Sequence, residues 1–262
     1  MNDYHMHSYL CRHGEGEIFE YVESAIEKGL NEIGFAEHMP VPGLDDPTGR
    51  MLIDEWDIYL RDITDAQSKY PEIKIRLGVE AEYFPKYMQH VENFISDYPF
   101  DFVIGSVHFV DDWDFSNPAH WNRLDEFGAE YLHTRYYELI TAAAKTGLYD
   151  IIGHLDLPKR LAPVALSEVT DKIDVALEAI QENNLVLDVN TAGLRKGPKE
   201  IYPSREILTR AFALQIPLIM GSDAHKPNEI AAGFDVTTDL LREIGFDRLC
   251  AFEKRQRKII EL

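Results

Sequence analysis

Apolar residues in the first half of the chain recur with two different periods. A first helix is predicted where they return every three or four positions and a glycine follows. The residues of this pattern are Ile18, Tyr21, Val22, Ala25, Ile26 and Gly29. Residues 32–36, 73–79 and 100–107 are apolar or alternate with polar residues, which predicts strands. Between them, 54–70 and 86–97 show helical spacing.

The second half of the chain continues the same series. A long helix is predicted over 123–146, and short apolar strands over 150–153, 185–189 and 216–220. Ser167 and Ser204 precede further helical patterns as candidate N-caps. The inner face of the helix after Ser167 is predicted to comprise Val169, Ile173, Ala176, Leu177 and Ile180.

Strands and helices therefore alternate along the whole chain. Such an order predicts parallel strands with right-handed crossovers, in a barrel or an open doubly wound sheet. The glycine-rich fingerprint of dinucleotide-binding sheets does not follow the first strand, which weakens the open-sheet alternative. No repeat or low-complexity linker divides the chain, so residues 1–262 are expected to form a single domain.

Polar residues with metal-binding side chains stand where the predicted strands end. They include seven of the ten histidines, counting His13 on the adjoining loop. The full set in chain order is His5, His7, His13, His38, Glu80, His108, His154, Asn190, Asp223 and His225. In parallel α/β barrels, the loops at the carboxyl ends of the strands converge on one mouth. His90, His120 and His133 lie elsewhere and are interpreted as background.

Imidazole and carboxylate ligands without thiolate suit zinc, manganese or iron(II). The histidines with Glu80 and Asp223 make nine candidate ligands, which are too many for one ion but enough for two or three divalent transition-metal ions. Glu80 could bridge two of them. Two ions about 3.5–4 Å apart can activate water and clamp a phosphoryl group, which is the chemistry of phosphoester hydrolysis.

The composition narrows the class of partner. The formal net charge is −20, from 26 basic and 46 acidic residues, so nucleic acid and anionic membranes are not expected partners. A small-molecule substrate fits better. The one dense basic run, 254–258, is interpreted as a solvated helix face. No motif indicates the oligomeric state.

The chain shows no targeting signal. It lacks a signal sequence at its start, and no apolar run reaches the roughly 18 residues of a membrane-spanning helix. Two cysteines, Cys11 and Cys250, cannot form a disulfide framework. A cytoplasmic location is expected, with Cys11 as a small packed thiol.

Seven short segments together resemble the motifs of the polymerase-and-histidinol-phosphatase (PHP) superfamily. They are 5–7 (HMH), 11–13 (CRH), 36–40 (AEHMP), 78–80 (GVE), 106–108 (SVH), 153–156 (GHLD) and 221–225 (GSDAH). The resemblance is closest to the monofunctional PHP-type histidinol-phosphatases. It implies an α/β fold, a distorted TIM-like (β/α)7 barrel, with a trinuclear metal site at the C-terminal ends of the strands. The implied reaction is hydrolysis of L-histidinol phosphate to L-histidinol and phosphate, in histidine biosynthesis.

The same resemblance implies a distribution of ligands over three metals. The first would be held by His5, His7, Glu80 and Asp223. The second would be held by Glu80, His108 and His154. The third would be held by His13, His38 and His225. Many relatives carry Asp where this chain has Glu37, which leaves the role of Glu37 open.

Two arginines are candidates for binding the substrate phosphate. Arg160 and Arg195 lie in loops predicted to converge on the mouth, and a guanidinium presents forked donors that match phosphate oxygens. Asp223 and His225 are both candidates for protonating the leaving alkoxide. Trp113 and Phe115, after His108, are predicted to anchor their loop rather than to bind substrate.

Two alternatives to a histidinol-phosphatase stay open. One is a related phosphoesterase acting on another small phosphate monoester or on nucleotide ends. The other is a non-catalytic metal-binding scaffold. The complete ligand set speaks against the scaffold, because a scaffold has no need of open coordination positions.

Overall fold

The structure is a computed structural model that describes residues 1–44 and 49–262. Its strands are β1 (Asn2–Asp3), β2 (Glu32–His38), β3 (Lys74–Glu82), β4 (Phe102–Ser106), β5 (Phe109–Val110), β6 (Trp113–Asp114), β7 (Ile151–Ile152), β8 (Val186–Asn190), β9 (Leu218–Gly221), β10 (Arg248–Glu253) and β11 (Gln256–Glu261). Its α-helices are α1 (Ile18–Glu27), α2 (Trp56–Lys69), α3 (Met88–Asp97), α4 (Leu124–Phe127), α5 (Ala129–Ala144), α6 (Leu166–Glu182), α7 (Ala192–Arg195), α8 (Arg205–Ala213) and α9 (Phe234–Ile244). None of the helices in the described ranges is long and apolar enough to cross a membrane.

Seven parallel strands form the central sheet, in the order β1-β2-β3-β4-β7-β8-β9. Backbone hydrogen bonds join its two edges. Tyr4 N donates to Met220 O at 3.1 Å, and Asp223 N donates to His5 O at 2.6 Å. The sheet is therefore a nearly closed barrel, which confirms the barrel and rules out the open doubly wound sheet.

The interior of the barrel is a small apolar core, separate from the two larger cores beneath the helices. It is formed by residues from five strands of the barrel, the segment after β1 and the C-terminal hairpin. They are Tyr4, Ala36, Phe102, Ile104, Ile151, Val186, Ile219, Cys250, Ala251 and Phe252. The antiparallel β10–β11 hairpin closes the end where the strands begin, and Phe252 N donates to the Tyr4 hydroxyl at 2.9 Å. The opposite end is left for the site.

This hairpin corrects the prediction for residues 254–258, which are not a helix face. Lys254 and Arg255 form its turn with φ of 52° and 60°. Two successive positive φ values are typical of the tight turns that join twisted strands. Arg255 Nε also binds Asp150 Oδ2 at 2.8 Å, and Lys254 N donates to Asp101 Oδ1 at 2.9 Å. These tertiary contacts at the starts of β4 and β7 outweigh the local helical pattern.

Two smaller predictions about helices also need correction. The helix predicted over 123–146 is interrupted at Gly128, whose φ is 83°, so α4 and α5 are separate. Ser167 does not cap α6, because that helix begins at Leu166. The Ser204 cap is confirmed, since its hydroxyl accepts a hydrogen bond from Ile207 N. The predicted inner face of α6 is buried as expected.

The ring of Phe102 occupies space that two glycines leave open inside the barrel. A Cβ at Gly78 would lie 2.2 Å from Phe102 Cζ, and one at Gly34 would lie 2.6 Å from Phe102 Cε1. Neither glycine has a positive φ. These positions therefore require glycine for close packing.

We expect Gly78→Ala to lower the free energy of unfolding by roughly 1–3 kcal/mol through overpacking. Denaturant unfolding measures the change. Phe102→Leu should recover part of that loss when combined with Gly78→Ala, because the smaller side chain makes room for the methyl group. Strictly additive effects of the two substitutions would contradict this account of the packing.

Candidate metal centre

The nine predicted ligands meet at the carboxyl ends of the strands. His38 is the last residue of β2 and is aligned with Glu80 on β3 in the strand register. His108 lies two residues after the end of β4, and His154 lies two residues after the end of the short strand β7. His13, on the loop after β1, returns to the cluster, with its ring centroid 4.5 Å from that of His225.

The carboxylate of Glu80 lies at the middle of the cluster. Its Oε2 is 2.8 Å from His38 Nδ1 and 3.5 Å from His7 Nε2. Its Oε1 is 3.0 Å from His154 Nε2 and 3.6 Å from His108 Nε2. Each oxygen thus faces a different set of imidazoles, which is the arrangement that a bridging ligand needs.

Asp223 forms the other acidic part of the cluster. Its Oδ1 is 3.5 Å from His7 Nε2, 4.0 Å from His5 Nε2 and 3.5 Å from His225 Nδ1. Among the residues that the structure describes, ligand atoms within 4.8 Å of one another occur in five groups. They are His5/His7/Asp223, His5/Glu80/His154, His38/Glu80/His108, His7/His38/His225 and Cys11/His13/His225. Several ions could therefore be held side by side.

The donor atoms at these positions fit metal ions. His5 Nε2, His7 Nε2 and His225 Nε2 are buried and have no hydrogen-bond partner among the described residues. A buried polar atom without a partner costs about 1–3 kcal/mol. Unpaired imidazole nitrogens that lie close to the carboxylates of Glu80 and Asp223 match the preferences of zinc, manganese and iron.

Two of the imidazoles are held in the neutral form that a metal ligand requires. Burial lowers the pKa of His7 to about 3, and repulsion from His38 adds to the shift. Burial also lowers the pKa of His38 to about 3, against the attraction of Glu80. His7 and His38 therefore each have one unprotonated ring nitrogen that can bind a metal ion at neutral pH.

The pKa values of His5 and His108 shift in the opposite direction. Burial by itself lowers the pKa of His108, but the carboxylates of Glu82 and Glu80 raise it to about 9. Burial acts in the same way on His5, and Glu80, Asp223 and Asp188 raise its pKa well above the ordinary value. The excess of buried carboxylate therefore attracts protons where metal cations would otherwise balance the charge.

Two acidic residues outside the predicted set, Asp188 and Glu82, contact the Nδ1 atoms of His5 and His108. Asp188 Oδ2 is 2.8 Å from His5 Nδ1. Glu82 Oε2 is 2.8 Å from His108 Nδ1, and its Oε1 accepts a hydrogen bond from His108 N at 2.7 Å. Such partners fix the orientation of a ligating imidazole. A sequence signal existed, because Glu82 lies two residues after Glu80 and so shares its face of β3.

Glu37 and two backbone carbonyl groups make further contacts with the proposed ligand histidines. Glu37, whose role was left open, is fully buried with Oε2 4.0 Å from His7 Nδ1. His13 Nδ1 is 2.8 Å from Cys11 O, and His225 Nδ1 is 3.0 Å from Asp223 O. These contacts leave the Nε2 atoms of both rings for a ligand. Burial raises the pKa of the Cys11 thiol, which favours a packed neutral side chain.

A cavity of about 300 Å³ opens above the cluster. Seven of the nine predicted ligands line it, while His5 and His7 lie fully buried beneath. Arg160 lines the same cavity, with its Nη1 3.4 Å from Ser116 O and its guanidinium over the Trp121 ring. Lys196 also lines it, a cation that the sequence reasoning missed.

Arg195 has a different environment and is not among the described residues that line the cavity. Its Nη2 donates to Ser222 O at 2.8 Å and to Asp223 O at 3.2 Å. Its Nε lies 3.5 Å from Glu229 Oε1. These contacts hold the loop that carries Asp223 and His225.

The background histidines lie outside the cluster, as the sequence predicts. His133 Nε2 is 2.7 Å from Ala162 O, and His90 Nε2 is 3.0 Å from Pro40 O. Trp113 and Phe115 are each 1 % exposed, in keeping with loop anchors.

Comparison with known proteins identifies relatives along nearly the whole chain. A family model described as "PHP domain" matches residues 3–192. The "Probable histidinol-phosphatase" of Deinococcus radiodurans is 36% identical over 255 residues, which cover 97% of this chain and 97% of that protein. The "Histidinol-phosphatase" of Bacillus subtilis is 31% identical over 258 residues, covering 89% of this chain and 96% of that protein.

A solved structure shares the fold. It is the histidinol phosphate phosphatase of Lactococcus lactis, complexed with zinc, L-histidinol and phosphate. The TM-score is 0.87 at 24% identity, over 98% of both chains. The family model ends at residue 192, yet β9 belongs to the same sheet and is followed by Asp223 and His225.

We expect Asp188→Asn to weaken metal binding about 10- to 100-fold, because the amide is a poorer partner for the His5 ring. Titration against a metal-chelating dye measures the affinity. Asp174→Asn is the matched control, since Asp174 pairs with Arg210 away from the cluster. Equal affinities of Asp188→Asn and the unmodified protein would contradict an orienting role.

We also expect metal loading to release about one to two protons per chain at pH 7, from His5 and His108. Both groups have a pKa raised above the ordinary value, so they are protonated before metal binds and must lose the proton to bind it. Metal affinity should accordingly increase with pH up to about 9. Calorimetry in two buffers of different ionisation enthalpy counts the protons, and a buffer-independent enthalpy would refute the expectation.

Proposed function

This chain belongs to the PHP domain family, and on that premise we propose that it is a metal-dependent phosphomonoesterase that hydrolyses L-histidinol phosphate to L-histidinol and phosphate. The observation that carries the proposal is Glu80, whose two oxygens face separate groups of imidazoles below a cavity lined by Arg160. Two of the relatives described above are named histidinol-phosphatases.

The metal centre is proposed to hold two or three divalent transition-metal ions of zinc, manganese or iron. When bound, such ions supply activated water and neutralise the charge of the phosphoryl group. His5, His7, Glu80 and Asp223 are the proposed ligands of the first ion. Those of the second are Glu80, His108 and His154. Those of the third are His13, His38 and His225.

The remaining steps fall to side chains around the cavity. Arg160 is proposed to bind the phosphate and to stabilise the charge that spreads over its oxygens. Arg195 is proposed as a second phosphate contact, because its Nη1 has no hydrogen-bond partner among the described residues. Asp223 and His225 both line the cavity and are the two candidates for protonating the leaving alkoxide.

We further propose that residues 1–262 act as one domain, since β1 and β9 are the two edges of one seven-stranded sheet and the β10–β11 hairpin packs into its interior. A small-molecule substrate agrees with a cavity of this size and with the acidic surface. A cytoplasmic location is consistent with Cys11 and Cys250, which are buried and unpaired.

A panel of phosphate monoesters tests the proposal on the purified, metal-loaded protein. We expect L-histidinol phosphate to have the highest kcat/KM, above nucleotides and sugar phosphates. Preference for another monoester would assign a different substrate, and no hydrolysis of any would favour a scaffold. Elemental analysis of the active protein should give two to three metals per chain, because nine ligands exceed the capacity of one ion.

Arg160→Ala should lower kcat/KM about 10- to 100-fold while metal content and folding stay intact. The reason is loss of a charge-assisted contact to a partly desolvated phosphate. Arg160→Lys should recover only part of the loss, because an ammonium lacks the fork. Unchanged kinetics in Arg160→Ala would leave phosphate binding to the metals alone.

The same substitution at Arg195 separates two roles of that residue. A phosphate contact predicts that Arg195→Ala lowers kcat/KM and keeps the metal content, as at Arg160. The loop contacts to Ser222 and Asp223 would instead make metal content fall together with activity. Metal analysis beside the kinetics distinguishes the two results.

A further inference from the structure

Asp114, at the end of β6, places a carboxylate on the wall of the cavity. Three acidic residues occur among the described residues that line this cavity: Glu80, Asp223 and Asp114. The first two belong to the proposed metal ligands. Asp114 is therefore the acid of this wall that the proposed metal centre does not use.

The position of this carboxylate is fixed by a turn. Asp114 Oδ1 accepts hydrogen bonds from Ser116 N at 3.1 Å, from Ser116 Oγ at 2.7 Å and from Asn117 N at 3.2 Å. The neighbouring Trp113 and Phe115 are buried in the core and anchor the backbone on both sides. Asp114 Oδ2 lies on the other side of the carboxylate, 3.9 Å from His120 Nδ1.

The same turn also contacts Arg160. The carbonyl oxygen of Ser116 lies 3.4 Å from Arg160 Nη1. One turn therefore positions a carboxylate and a guanidinium on the same wall of the cavity. A ligand with a negative and a positive group close together would match this pair of charges.

L-Histidinol phosphate has such a pair of charges. Its phosphate ester is separated from its ammonium group by only two carbons. Asp114 and Phe109 also border an adjoining cavity. Phe84 and Tyr87 line that second cavity. The part of the substrate beyond the ammonium would have room there.

We propose that Asp114 binds the ammonium group of the substrate and thereby selects amine-bearing phosphate monoesters, an inference that rests on the proposed function. Asp114 is then a specificity-determining residue. It acts on substrate binding and takes no part in metal binding.

Asp114→Asn tests this with little change of shape. The three donors require an acceptor at the Oδ1 position, so the amide oxygen is retained there and the amide nitrogen replaces Oδ2. The charge is lost and the turn is kept. Asp111→Asn is the matched control, because Asp111 is exposed in the same hairpin, pairs with Arg135 and is not among the described residues that line either cavity.

Kinetics are measured with L-histidinol phosphate and with its analogue that lacks the amine, 3-(imidazol-4-yl)propyl phosphate. We expect Asp114→Asn to lower kcat/KM for L-histidinol phosphate about 10- to 100-fold, mainly through KM. The kcat/KM for the analogue should change by less than about twofold, since the analogue has no ammonium group for Asp114 to bind. Asp111→Asn should behave like the unmodified protein on both substrates.

An equal loss on both substrates in Asp114→Asn would overturn the proposal, because it would indicate a structural role of the turn. A second measurement needs no variant. L-Histidinol should inhibit the unmodified enzyme at least about tenfold more strongly than 3-(imidazol-4-yl)propanol. Equal inhibition would also overturn the proposal. Failure of the proposed function is a separate result, namely no hydrolysis of L-histidinol phosphate by the unmodified enzyme.

Discussion

The carboxylate of Glu80, buried among imidazoles on both sides, is the interaction on which the site depends. Burial alone would favour the neutral acid, but His38, His5 and His108 hold its pKa well below the ordinary value. Asp188 and Glu82 add further negative charge behind two of the rings. A cluster with this much buried charge is stable only when cations balance it, either as protons on histidine or as metal ions.

Closure of the barrel builds this cluster. The hydrogen bond from Asp223 N to His5 O links the two edges of the sheet and brings two proposed ligands together. Asp3, buried below them, accepts hydrogen bonds from Ser222 N and Ala231 N and holds the last loop against the first strand. The hairpin β10–β11 fills the other end of the barrel, so the interior is apolar at one end and polar at the other.

Hydrophobic periodicity was enough to predict six of the seven barrel strands, β1 excepted, and the residues at their ends. The nine candidate ligands followed, because strand ends in a parallel barrel share one mouth. Asp188 was missed because its role depends on which face of β8 points into the barrel, whereas Glu82 could have been predicted from its spacing of two residues from Glu80. The turn at Lys254 and Arg255 depends on contacts with Asp101 and Asp150, which no local pattern could predict. The turn that holds Asp114 is local, but its place on the wall of the cavity follows from the barrel around it.

The joining of β1 to β9 also bears on how the chain folds. Ser222 N and Asp3 are hydrogen-bonded across a sequence separation of 219 residues. Contacts of such high contact order form late, because the loop between them must be closed first. We therefore expect His5 and His7 to meet Asp223 only late in folding, whereas His13 and His38 are near them in sequence. A metal ion that binds before β9 has docked would find the N-terminal histidines without Asp223. Correct assembly of the centre therefore requires β9 to dock before those histidines bind an ion in a different arrangement.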